Sequence, residues 1–154
     1  MSQSFAARIC RIVAPEKLTD RFLASGILTQ QEGFLLENQV ILIYVFEINK
    51  PWFPSSKVLP SLTHTLREQF KDLKPGATLG DQFESLLKSI NETLNLISEQ
   101  GETDWIGNLN GLIMLLSGEE LHFSQTGYCP AYLLQNNRIR QITDDGNPEH
   151  DPHP

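Results

Sequence analysis

Residues 109–143 read LNGLIMLLSGEELHFSQTGYCPAYLLQNNRIRQIT, and this stretch decides the fold. The apolar run LIMLL stops at Ser117-Gly118-Glu119, a glycine-centred turn. The next segment, ELHFSQTG, alternates Leu121 and Phe123 against His122 and Ser124, the period-two pattern of a half-buried strand. His122 is expected on the more polar face of this strand. PAYLLQ then meets RIRQIT across Asn136-Asn137. Asparagine tolerates positive φ, so this pair predicts a two-residue hairpin turn. The stretch as a whole predicts four strands joined by short turns.

Upstream lie two amphipathic helices. Leu62, Leu66, Phe70 and Leu73 recur at spacings of three and four, with Pro60 tolerated in the opening turn and Lys74-Pro75-Gly76 as the stop. The second helix is expected from about Leu79 to Gln100. Phe83, Leu86, Leu87, Ile90, Leu94 and Ile97 form one stripe, Thr78 and Asp81 have capping spacing, and Gly101 closes the end. Each helix has a single apolar face, so each should lie on a sheet or on the other helix. Ahead of them, QVILIYVFEI ends at Asn49-Lys50-Pro51 and predicts a central strand covered on both faces. The segments 4–13 and 21–30 predict two further strands. Strands segregated from helices imply an α+β fold with antiparallel sheet. Residues 1–143 are expected to form one domain. Residues 144–154, acidic and proline-rich, are expected to be a tail or the start of a continuation.

The chain has 154 residues, 12 basic and 19 acidic, for a formal charge of −7. With 40% hydrophobic and 20% charged residues it should fold. A phosphate-backbone binder needs a basic stripe, and none is present, so nucleic acid is not expected as a partner. The longest apolar run, Val40 to Phe46, falls far short of the roughly 20 residues that span a bilayer. The N-terminus lacks the continuous apolar core of a secretory signal. Cys10 and Cys129 form no CxxC pair and read as reduced thiols of a cytoplasmic protein. A disulfide between them and a nucleophilic Cys129 are the rival readings, the latter without a nearby lysine or arginine to lower its pKa. No phosphate-binding loop, dinucleotide fingerprint, zinc-protease or serine-hydrolase motif occurs. His64 is expected on the polar side of the first helix. His150 and His153, among acids, read as a solvated tail or a weak adventitious metal site. In the loop NKPWFPSS, Trp52 and Phe53 are either an exposed partner-binding patch or aromatics folded back on the core.

From Phe83 to Asp145 the chain resembles the middle of the metal-dependent protein phosphatases of type 2C. There a small-residue strand start, here Gly107-Asn108-Leu109-Asn110-Gly111, leads to a Val-Gly-Asp-Ser-Arg-Ala-Tyr-Leu segment, a hairpin and Gln-Leu-Thr-Asp-Asp-His. Gly127, Ala131, Tyr132, Leu133, Gln141, Thr143, Asp144 and Asp145 match in order. The strand LIYVFE occupies the place of the family strand that ends in Asp-Gly-x-Gly-Gly. The resemblance implies a sandwich of antiparallel sheets with a long antiparallel helix pair packed on one face.

It also implies a site for two divalent ions, held by aspartates and a backbone carbonyl, whose bridging water attacks a phosphoryl group. The departures fall on that site. The Asp-Gly-x-Gly-Gly position reads Glu47-Ile48-Asn49-Lys50-Pro51, and Tyr128 and Pro130 replace the aspartate and arginine of the Gly-Asp-Ser-Arg segment. The later Ser-Asp-Gly and Asp-Asn motifs are expected beyond residue 154. Glu47, Asp144 and Asp145 remain as candidate metal ligands; each is equally a carboxylate at a strand end or in a turn. The expectation is a non-catalytic phosphatase-like domain without a cofactor, which binds a protein partner or a second copy of itself through an open sheet edge or a helix face. One alternative is an active phosphatase using Mg²⁺ or Mn²⁺, completed by ligands outside this stretch. Another is an unrelated α+β sensor or adaptor domain.

Overall fold

The structure, a computed structural model, describes residues 23–31, 39–49, 57–73 and 76–143. The expected strand at 4–13, the Trp52-Phe53 loop, Cys10 and the segment 144–154 lie outside these residues. Two strands, β1 (Leu23–Gln31) and β2 (Gln39–Ile48), precede two helices, α1 (Val58–Lys71) and α2 (Leu79–Glu99). Four strands follow: β3 (Leu109–Ser117), β4 (Glu120–Thr126), β5 (Tyr132–Gln135) and β6 (Arg138–Gln141). The first four strands to appear in this order, β1-β2-β3-β4, form one antiparallel sheet, and β5 and β6 form a second of two strands. The fold is therefore α+β with antiparallel pairing throughout the described residues, as the sequence predicts.

The helices form where the sequence places them. The Thr78 hydroxyl accepts the Asp81 backbone N–H (3.1 Å) and donates to the Asp81 carboxylate (2.7 Å), which caps α2. Gly101 follows the helix at φ 89°. The two helices run antiparallel. The Lys57 N–H, at the start of α1, donates to the Glu102 carboxylate beyond the end of α2 (3.2 Å), and the Thr65 and Thr93 hydroxyls bond midway (2.8 Å).

Both helices lie on one face of the four-stranded sheet. That face presents Val40, Leu42, Tyr44, Phe46 and Ile48 of β2 with Leu109, Ile113 and Leu115 of β3, all buried. They share a core with Leu59, Leu62, Leu66 and Phe70 of α1 and Phe83, Leu86, Ile90 and Ile97 of α2. Leu87 and Leu94 pack against this core from its margin. On the other face of β2, Ile41 is also buried, as is Leu112 opposite Val45, but Ile43 and Val45 are only half-buried. The helices thus cover one face of β2, not two; its unbroken apolar run carries no polar alternation to mark the difference.

In β4 the more polar face, with His122 and Ser124, turns toward the helices. Register puts His122 opposite Leu115 and Ser124 opposite Ile113, which is the helix side. The His122 ring stands 5.9 Å from that of Phe83 in α2, while Leu121 (42%) and Phe123 (38%) are exposed on the opposite face. This orientation follows from pairing, because β3 carries apolar residues on both faces and fixes β4 by register, not by polarity. The Asn136 and Asn137 φ values of 50° and 61° confirm the predicted two-residue turn between β5 and β6.

Candidate functional site

Because β2 and β3 are antiparallel, the last residues of β2 meet the first of β3. Glu47 pairs with Asn110, and the Asn49 N–H donates to the Asn108 carbonyl (2.8 Å). At the same end of the sheet the chain leaves β4 through Gly127-Tyr128-Cys129. Gly127 has φ 61°, and a Cβ there would collide with the Asn110 side-chain oxygen and stand 2.9 Å from the Leu109 carbonyl. Only glycine fits this approach. The turn is held by the Asn110 amide oxygen, which accepts the Tyr128 N–H (2.9 Å), and by the Gln125 side-chain amide, which donates to the Gly127 carbonyl (2.9 Å). Tyr128 projects outward, 59% exposed.

Cys129 is a free, half-buried thiol at this strand end. Burial pushes its pKa up, and the nearby Glu47 carboxylate pushes it further in the same direction. Cys129 is therefore a neutral thiol at physiological pH, a poor nucleophile and a poor ligand for a hard ion.

This end of the sheet is where the resemblance places paired divalent ions. Mg²⁺ and Mn²⁺ require about six oxygen donors in a fixed cage. Among the described residues the side-chain donors here are the Glu47 carboxylate, an asparagine oxygen that accepts the Tyr128 N–H, and a neutral sulfur. No three His, Cys, Asp or Glu side chains gather in a metal-binding group among the described residues. This donor set does not fit a pair of hard ions. Asp144 and Asp145 lie outside the described residues. His64 is exposed on α1, as expected.

The matched residues of the hairpin have a structural task. The Thr143 side chain is buried, and its hydroxyl accepts the Ala131 N–H (2.8 Å); the Ile142 N–H donates to the Ala131 carbonyl (2.9 Å). The Gln141 amide donates to the Thr143 carbonyl (3.0 Å). Together these bonds clasp the base of the β5–β6 hairpin. Asn110, which organises the turn at Tyr128, was not singled out by sequence. Its signal is a short side-chain amide at a strand start, able to reach a neighbouring backbone N–H.

Among solved structures, the chain is similar to the serine/threonine phosphatase PstP/Ppp of Mycobacterium tuberculosis, with a TM-score of 0.50 and 18% identity, covering 80% of this chain and 55% of that one. The chain thus has a phosphatase 2C-like α+β fold and spans about half the length of that phosphatase chain. No protein-family model matches the sequence, and no curated protein matches it. No helix among the described residues is long and apolar enough to cross a membrane.

Proposed function

We propose that this chain is a phosphatase-like domain without hydrolytic activity, serving as a protein-binding or regulatory module. The observation that supports this reading is the strand end where paired ions would sit. Among the described residues it offers one carboxylate, Glu47, beside a backbone-bonded asparagine and a neutral thiol. A water bridged by two ions attacks phosphorus because the ions lower its pKa and gather the phosphoryl oxygens. Without the oxygen cage neither effect is available. The framework that positions the turn, Gly127 with Asn110, and the clasp of the hairpin, Thr143 with Ala131, are independent of metal. A partner strand would add to β1 or β4, each of which pairs on one side only among the described residues.

Calorimetric titration with Mn²⁺, combined with p-nitrophenyl phosphate turnover, tests the proposal. The expected result is no saturating heat in the micromolar range and no hydrolysis above buffer. Tight binding with turnover that Glu47→Gln abolishes would instead establish an active phosphatase.

A further inference from the structure

The β5–β6 hairpin forms a sheet of its own, and both strands are exposed over nearly their whole length. Two strands alone are marginal in water, and the clasp between Thr143 and Ala131 secures only the base. The register splits the hairpin into two unlike faces. Tyr132, Leu134 and Ile139 share one, with Leu134 69% and Ile139 72% exposed. Arg138 and Arg140 share the other, where they line a shallow hollow with Leu133, Gln135 and Asn136. Among the described residues neither guanidinium has an acidic or hydrogen-bonding partner. The segment from Tyr132 to Gln141 holds no acid, in a chain whose formal charge is −7.

The outer edge of β6 is open as well. At a two-residue turn the flanking pair, Gln135 and Arg138, exchanges ladder hydrogen bonds, so the next pair, Leu134 and Ile139, does not. The bond from the Ile142 N–H to the Ala131 carbonyl (2.9 Å) has the parity this alternation requires. The Ile139 N–H and carbonyl therefore point away from β5, toward an edge that no strand covers among the described residues. A strand laid there would set side chains opposite Arg138 and Arg140 on one face and opposite Ile139 on the other.

We propose that the β6 edge takes up an extended segment of another protein in which acidic and apolar residues alternate. Its acids face Arg138 and Arg140, and an apolar residue between them faces Ile139. Main-chain hydrogen bonds supply the attachment, and the charged-apolar-charged order of the edge selects the sequence. A second copy does not offer such a segment on its open edges. Strand β1 holds no acid, β4 holds Glu120 alone, and β6 against β6 would set arginine against arginine. This inference rests on the reading of the chain as a protein-binding module and names the surface and the chemistry of the partner.

The probe is a fluorescein-labelled peptide, Gly-Glu-Val-Glu-Val-Glu-Gly, followed by anisotropy with the full chain. Saturable binding that weakens as salt is raised is expected. Arg138→Glu combined with Arg140→Glu turns both attractions into repulsions and should weaken binding by roughly tenfold or more, while the lysine version of the probe gains affinity for that variant. Both exchanges fall on exposed positions, so the fold is not at stake. Two further probes, N-methylated at the valines or at the glutamates, keep their charge. One of them should lose binding, whichever turns its N–H groups toward β6. The isomer Gly-Glu-Glu-Glu-Val-Val-Gly, with equal charge and no alternation, should bind less tightly. Absence of saturable binding would overturn the proposal, as would binding that ignores the arginine exchanges. Equal affinity for the isomer, or retention by both N-methylated probes, would reduce the site to a charged patch and overturn it too. Turnover of p-nitrophenyl phosphate, measured in parallel, reports separately on the absence of hydrolysis: turnover together with peptide binding would revise that reading and leave this one standing.

Discussion

The two faces of β2 differ in a way that its sequence conceals. Val40, Leu42, Tyr44, Phe46 and Ile48 meet the helix pair and are all buried, whereas on the reverse side Ile41 is buried but Ile43 and Val45 keep part of their surface. The neighbouring strands extend the contrast: Leu115 opposite Leu42 is fully buried, while Phe123 and Leu121 of β4 are exposed. Hydrophobic side chains on both faces of one sheet therefore do not imply equal cover. Which face the helices take is set by how the helix stripe meets the larger buried residues, among them Tyr44 and Leu42.

The largest effect that could break this comparison is a truncation on the covered face. Leu42→Ala removes a fully buried side chain and should lower stability by about 3 kcal/mol, read from urea unfolding midpoints. Phe123→Ala, on the reverse face, should cost less than about 1 kcal/mol. Equal losses would mean that both faces are covered alike. Next in size is Thr143→Val, which leaves the Ala131 N–H without its acceptor at the base of the hairpin. A loss of about 2 kcal/mol is expected if this clasp is part of the cooperative unit. A loss confined to local amide exchange, with the global midpoint unchanged, would show that the hairpin opens independently of the sheet. Thr78→Ala removes the cap of α2 and should cost about 1 kcal/mol, with Thr78→Asp nearly neutral.

The smallest effect concerns chemistry at the strand end. In a Cys10→Ser background, Cys129 should react with iodoacetamide more slowly at pH 8 than a free cysteine, because burial and Glu47 raise its pKa and deplete the thiolate. Glu47→Gln removes the like charge, so the pKa falls and alkylation quickens at that pH. An unchanged rate would separate Cys129 from Glu47 and undo the electrostatic account of this site.

Much of the architecture was legible in the residues themselves. The stripes at Leu62-Leu66-Phe70 and Phe83-Leu86-Ile90-Ile97 place both helices, since a 3.6-residue period leaves one face to bury. Asn136-Asn137 gives the hairpin turn, because two successive positive φ values need residues that tolerate them. The site was legible in part. Glu47 stands at the end of β2 as expected, yet its neighbours there come from β3 and from the turn after β4, and no spacing in the chain announces that Asn110, Tyr128 and Cys129 gather beside it. The inward turn of the His122 face was not legible for a related reason: alternation tells that a strand has two faces but not which one the register of its neighbour turns inward.

The order of the described elements was thus determined by the sequence alone, since helix periodicity and turn residues are local properties. Only the tertiary structure decided which sheet face the helices cover and that Gly127 must stay bare to approach Asn110. These depend on contacts between residues far apart in the chain, where register and close packing, not local preference, set the outcome.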